Sequence, residues 1–187
     1  MVNLEQVAMQ IKANEMIEFW REAGPKKWFQ GGDAFDQVCR SRFLDTHHAA
    51  ARRELESWLQ APEDALGLLL LLDQIPRNVF RGSGHAFATD SLARHNAAYA
   101  MEAGFDAQVG VDLRLFFYMP FEHSEDPADQ ATSVELFTAL GDDGYLKYAV
   151  AHRDVIAQFG RFPHRNHALG RSNTPEEQQW LDAGGGF

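Results

Sequence analysis

The 187 residues are enough for one globular domain of a size that buries roughly 70% of the surface its unfolded chain exposes, so a core can form without disulfides or metal. Hydrophobic residues at 45% and aromatic residues at 12% exclude disorder for the bulk of the sequence. With 27 acidic against 17 basic residues and a formal charge of -10, the field of the whole molecule repels phosphate backbones and speaks against nucleic acid as a partner.

Leu4, Val7, Ile11, Met16, Phe19 and Trp20 recur at roughly helical spacing and predict a first helix that stops at Gly24-Pro25. The same opening segment lacks the basic stretch and small-residue cleavage site of a signal peptide. Asp33 caps a second helix in which Phe35, Val38, Cys39, Phe43 and Leu44 share a face, and which is expected to run through "HHAAARRELESWL". On it, His47 and His48 read as a solvated face. Cys39 is the single cysteine and suits a small buried side chain in a reducing compartment.

Pro62 opens the next helix at its first position, with Glu63 and Asp64 in the turn where the macrodipole favours them. Leu66 to Leu72 is apolar on every side, which marks a central helix, and Pro76 is expected to end it. The run "LGLLLLLDQI" falls short of the roughly 20 residues a bilayer requires. These features predict a cytoplasmic protein with no membrane partner.

Thr89 or Asp90 caps a further helix that Gly104 closes. "VGVDLRLFFYMPF" alternates like a strand at Val111, Leu113, Leu115 and Phe117, but a lone strand has no partner, so a buried helix broken at Pro120 is predicted. Asp126-Pro127 starts another helix, closed by Gly141, and Asp142 or Asp143 starts the next. That one places Tyr145, Tyr148, His152, Ile156 and Phe159 on one face. "TPEE" matches a capping box running from Thr174 to Glu177. The fold class is therefore all-α: a single domain over 1–187, an antiparallel array of about seven or eight helices joined by short turns.

Three polar constellations interrupt the apolar pattern. In "LLDQIPRNVFRG", Asp73 sits beside Gln74 where a carboxylate is both dehydrated and opposed by the helix dipole, so it needs a cation or several donors: Arg77 lies four residues on, and at least one arginine of 160–171, Arg161 or Arg165, is expected to pair with it. Asn78 and Arg81 complete that helix exit. In "YMPFEHSEDPADQ", Glu122, His123, Glu125 and Asp129 follow a dense aromatic run, and His152 can approach from a facing helix. Imidazole and carboxylate groups of this kind hold divalent ions, but the spacing matches no metal motif. The favoured alternative is a pair of core histidines satisfied by Asp129 or Glu125, with no metal and no cofactor.

The third constellation, "FGRFPHRNHALGR", packs Arg161, His164, Arg165, Asn166, His167 and Arg171 into a turn-like segment. "DQIPRNVFRG" and "GRFPHRNHALGR" share chemistry, each passing through Pro, Arg and Asn to Gly beside Arg, so the two exits are expected to face one another. "LLLLLDQIPRNVFRG", "AFATDSLA", "FFYMPFEHSEDPADQATSVELF" and "FGRFPHRNHALGRSNTPEEQQWL" closely resemble the bacterial family known as domain of unknown function 924, from about "MIEFW" onward. "QIPRN" and "PFEHSE" look like slight variants of the family's "QFPRN" and "PFMHSE". The resemblance implies an all-helical, tetratricopeptide-like fold and carries no reaction or catalytic residue with it.

The expectation for function is a binding module whose polar groove takes a small anionic molecule or an acidic peptide end. Arg161, His164, Arg165 and Arg77 would line it, with His123 and Glu125 at the edge. The first alternative is a hydrolase using histidine and carboxylate as acid and base beside arginine clamps. The second is a purely structural network of ion pairs. The residues set no oligomeric state.

Overall fold

The structure is a computed structural model that describes residues 11–187. Leu4 and Val7 lie outside the described residues. Helix α1 (Ala13–Gln30) buries Met16, Ile17 and Trp20 and bends at the expected stop without ending there. Gly24 takes φ +70°, open to glycine without a Cβ clash, and Pro25 restarts the helix from its fixed φ. Past the bend, Trp28 donates its indole N–H to the Trp20 carbonyl at 2.6 Å and ties the two limbs together.

Helix α2 (Gly32–Ala51) ends earlier than predicted. Arg53 turns left-handed at φ +65°, and the N–H groups of Arg53 and Glu54 return to the carbonyls of Ala50 and Ala49, a hydrogen-bonded helix stop. A short 3-10 turn, Glu56–Gln60, follows. His47 is buried, contrary to the solvated face expected of it, because α2 packs against the central rod and the rod offers it a carbonyl.

That rod is one run of three pieces: α3 (Pro62–Leu69), a π-turn (Leu70–Gln74) and α4 (Ile75–Val79). Leu66 to Leu72 are buried throughout, as a central helix requires. Pro76 does not end the rod. Within the π-turn, Ile75 N–H bonds to the Leu70 carbonyl, one residue further back than in an α-helix, so the Leu71 carbonyl is released. Pro76 has no N–H to offer Leu72. Side chains take both acceptors: His47 Nδ1 lies 2.8 Å from Leu71 O, and Thr89 Oγ1 donates to Leu72 O at 2.5 Å. Thr89 is therefore not the side-chain cap of α5 (Asp90–Glu102); its hydroxyl is spent on the rod. Thr89→Val should cost about 1–2 kcal/mol in urea unfolding, because Leu72 O is left buried without a donor. An unchanged midpoint would mean that the carbonyl finds another partner.

Helix α6 (Val111–Glu122) is helical, not extended, and continues two residues beyond Pro120, carrying Glu122 to its end and His123 to its C-cap. Helices α7 (Pro127–Leu140) and α8 (Asp143–Phe159) form an antiparallel hairpin across Gly141-Asp142. Asp126 and Asp142 cap them through Ala128 N–H at 2.8 Å and Gly144 N–H at 2.9 Å. On α8, His152 and Ile156 are buried, whereas Tyr148 is 58% exposed and leaves the predicted face. In α9 (Pro175–Asp182) the capping box is present in both directions: Glu177 N–H reaches Thr174 Oγ1 at 3.2 Å, and Thr174 N–H reaches Glu177 Oε2 at 2.8 Å. The described residues form nine α-helices and no strand, or eight rods when Pro62–Val79 is counted as one. No helix among them is long and apolar enough to cross a membrane.

Candidate functional site

The π-turn carries Asp73 into the interior, where the residue is 1% exposed. A carboxylate there requires donors on every side. His123, delivered by the end of α6, donates Nδ1–H to Asp73 Oδ1 at 2.8 Å, and Gln74 Nε2 donates to Oδ2 at 2.7 Å. Arg77 Nη1 stands 3.4 Å from Oδ1. Burial works against the charge, but Arg77, then His123 and Gln74, outweigh it and hold Asp73 well below the usual carboxylate range. His123 is pulled below its ordinary value by burial and by Arg77, so it is neutral, with its proton on Nδ1 and Nε2 left as the ring's acceptor.

Asp73 has no arginine partner from 160–171, contrary to expectation. The two Pro-Arg-Asn exits do face one another, and their meeting point is Asp90 at the start of α5. Arg77 grips Asp90 with two bonds of 3.0 Å, while Arg165 Nη1 lies 3.4 Å from Asp90 Oδ2 and donates to the His123 carbonyl at 3.0 Å. The Arg165 guanidinium is stacked between two rings, 4.6 Å from the centroid of Phe87 and 4.4 Å from that of Phe162. Its Nε is buried without a hydrogen-bond partner among the described residues. Burial and the repulsion of Arg77 lower Arg165 to about 10, against the pull of Asp90, Glu125 and Asp73.

Glu122 and His152 close the cluster. Glu122 is 4% exposed, and burial with the neighbouring Asp73 charge pushes its carboxyl up to about 8 against the opposing pull of Arg77. His152 Nδ1 lies 2.9 Å from the Tyr148 carbonyl and 3.1 Å from Glu122 Oε1, so its proton is on Nδ1 as well. Burial, then His123, drives it down to about 3. The two imidazole rings are 6.2 Å apart. His164 is lowered to about 4, by burial and then Arg165, and its Nδ1 is buried without a partner among the described residues.

Of the predicted site residues, Asp73, Arg77, Glu122, His123, His152, His164 and Arg165 therefore converge. The others are engaged elsewhere. Asn78 and Arg81 bind Asp36 on α2, at 2.8 and 2.6 Å. Glu125 is held by both terminal nitrogens of Arg171, at 2.8 and 2.9 Å, and accepts from Phe162 N–H. It hydrogen-bonds to no histidine, and the set His123, Glu125 and His152 is not assembled. Asp129 pairs with Arg94 at 2.9 Å and Ser124 at 2.6 Å. Arg161 is bound on two sides by Glu177, at 2.6 and 2.7 Å, and Asn166 also reaches Glu177, at 3.2 Å. Arg161 thus leaves the predicted anion-lining set, because Glu177 engages it with both carboxylate oxygens; Glu125, expected at the edge, is clasped by Arg171 and reaches Arg165 and His164 only through its charge.

Sequence reasoning missed Asp90, Phe87 and Phe162. Asp90 reads only as a helix start, and neither phenylalanine stands out from the other aromatic residues of the sequence. No group of three or more histidine, cysteine, aspartate or glutamate side chains suited to a metal ion comes together among the described residues.

Comparison with known proteins bears on this cluster only through the fold. No curated protein matches the chain. A solved structure of a protein of unknown function from Agrobacterium tumefaciens is similar, with 51% sequence identity and a TM-score of 0.88 over 91% of this chain and 97% of that one. The model of the family described as bacterial protein of unknown function, DUF924, matches residues 16–185, and the chain belongs to that family.

Proposed function

We propose that the protein is a binding module for a small anion such as a phosphate or a carboxylate, held against the free edge of Arg165. The observation that carries this is a buried Nε with no hydrogen-bond partner among the described residues, on a guanidinium already fixed by two aromatic rings. Nη1 is occupied by Asp90 and the His123 carbonyl, which leaves the Nε and Nη2 edge, the geometry that takes two oxygens of one anion. His164, with its own partnerless Nδ1, adds a second polar group within the same segment. A closed cluster of this kind fits a small ion better than a peptide, which would need an open groove.

Calorimetric titration with inorganic phosphate should show saturable binding that weakens with added salt. Arg165→Lys keeps the charge but loses the two-pronged edge, and should weaken binding by at least about tenfold. Equal affinity in both proteins would remove Arg165 from the site.

A hydrolytic enzyme is the second reading, favoured by His123: a neutral imidazole oriented by a buried carboxylate, with Nε2 as acceptor and a protonated Glu122 close by. Turnover of p-nitrophenyl phosphate that His123→Gln abolishes would favour it over binding alone.

A further inference from the structure

The segment 184–187 lies back over the cluster. Gly185 runs flat on the Trp180 indole, where a Cβ would come within 2.3 Å of ring carbon, and Gly186 turns at φ +143°, so both positions suit glycine alone. The turn delivers the Phe187 ring onto the face of His152, 3.6 Å between centroids and 12° from parallel. Phe162 and His164 stand edge-on to the same ring, at 89° and 85°. Three rings therefore frame a slot with one stacking wall and two edges, a geometry that selects a flat π-system over an aliphatic chain. Phe187 is nevertheless 51% exposed, so it is reached from water and a ligand ring can compete for its place.

The slot adjoins Arg165 through a shared wall. Phe162 carries the Arg165 guanidinium at 4.4 Å and is 6.3 Å from the Phe187 ring. We infer that the slot of His152, Phe162 and His164 is an aryl-binding subsite, that Phe187 occupies it as an internal stand-in, and that the ligand is an anion bearing an aromatic ring, which displaces Phe187. The anionic half of this inference rests on the function proposed above; the slot does not.

Full-length wild type, Phe187→Ala and Phe187→Trp are titrated with phenyl phosphate, inorganic phosphate and the uncharged probe benzyl alcohol, by calorimetry and by the imidazole resonances of His152 and His164. Phe187→Ala tightens phenyl phosphate by about tenfold, leaves inorganic phosphate within about twofold, and makes phenyl phosphate the better ligand of the two. Phe187→Trp, which restores a ring, stays close to wild type. An equal gain for both phosphates would overturn the inference, since Phe187 would then block entry without mimicking a ligand. So would phosphate binding accompanied by no response of His152 or His164 to benzyl alcohol in Phe187→Ala; the anion site would survive that result. Benzyl alcohol shifting those imidazoles while neither phosphate binds would uphold the slot and sink the anion site.

Discussion

Asp73→Asn should lower the stability of the fold by about 3 kcal/mol in urea unfolding. The carboxylate accepts from His123 at 2.8 Å and from Gln74 at 2.7 Å, with Arg77 at 3.4 Å, and an amide turns one of those acceptor sites into a donor facing a donor. Arg77 is then left with Asp90 as its carboxylate, which Arg165 also approaches. The loss should depend on pH in a defined direction. The folded pKa of Asp73 lies below its ordinary value of 3.8, so the stability it contributes is present above that value and is lost as pH falls through the folded pKa. The wild type should therefore lose its advantage over Asp73→Asn in strong acid. A variant within about 0.5 kcal/mol of wild type at pH 7 would show that Asp73 is not the anchor of the cluster.

Glu122→Gln should act in the opposite sense and stabilise the protein at pH 7 by on the order of 2–3 kcal/mol. Glu122 holds its proton up to about 8 in the fold, against an ordinary value of 4.5. Below 4.5 both folded and unfolded chains are protonated and the group costs nothing. As pH rises from there to about 8 the unfolded chain releases the proton and the folded one does not, so stability is progressively lost. Glutamine has no proton to release and can still present a carbonyl to His152. The gain should be near zero at pH 4 and grow toward pH 8. An equal gain at both ends would point to packing and not to titration, and no gain at pH 7 would mean that Glu122 is ionised in the fold.

Local chemistry was legible in the sequence, and long-range pairing was not. The caps at Asp126, Asp142 and Thr174 depend on a carboxylate or hydroxyl and an N–H two or three residues away, and they stand where the residues put them. Burial of Asp73 followed from its position on an apolar run. Pro76 misled because its effect was read locally: the carbonyl it leaves free is satisfied by Thr89, 13 residues on in another element, and a π-turn accommodates the rest. The arginines misled for the same reason. Which carboxylate each meets is decided by helix packing, so Arg161 went to Glu177 and Arg165 to Asp90, although the convergence of the two Pro-Arg-Asn exits was visible as an echo. Asp90 was hidden by a second role, since an acidic residue at a helix start needs no further explanation.

The proposed anion site turns on the Nε–H of Arg165, a buried donor with no partner among the described residues. Its resonance can be followed directly in a proton-nitrogen spectrum of arginine side chains, assigned by its disappearance in Arg165→Lys. A partnerless buried N–H that acquires a phosphate oxygen should move downfield and saturate with the same affinity as the calorimetric titration. A resonance that stays in place while phosphate is raised to saturating levels, in wild type and in Phe187→Ala alike, would contradict the claim and leave Arg165 as an internal clasp between Asp90 and the end of α6.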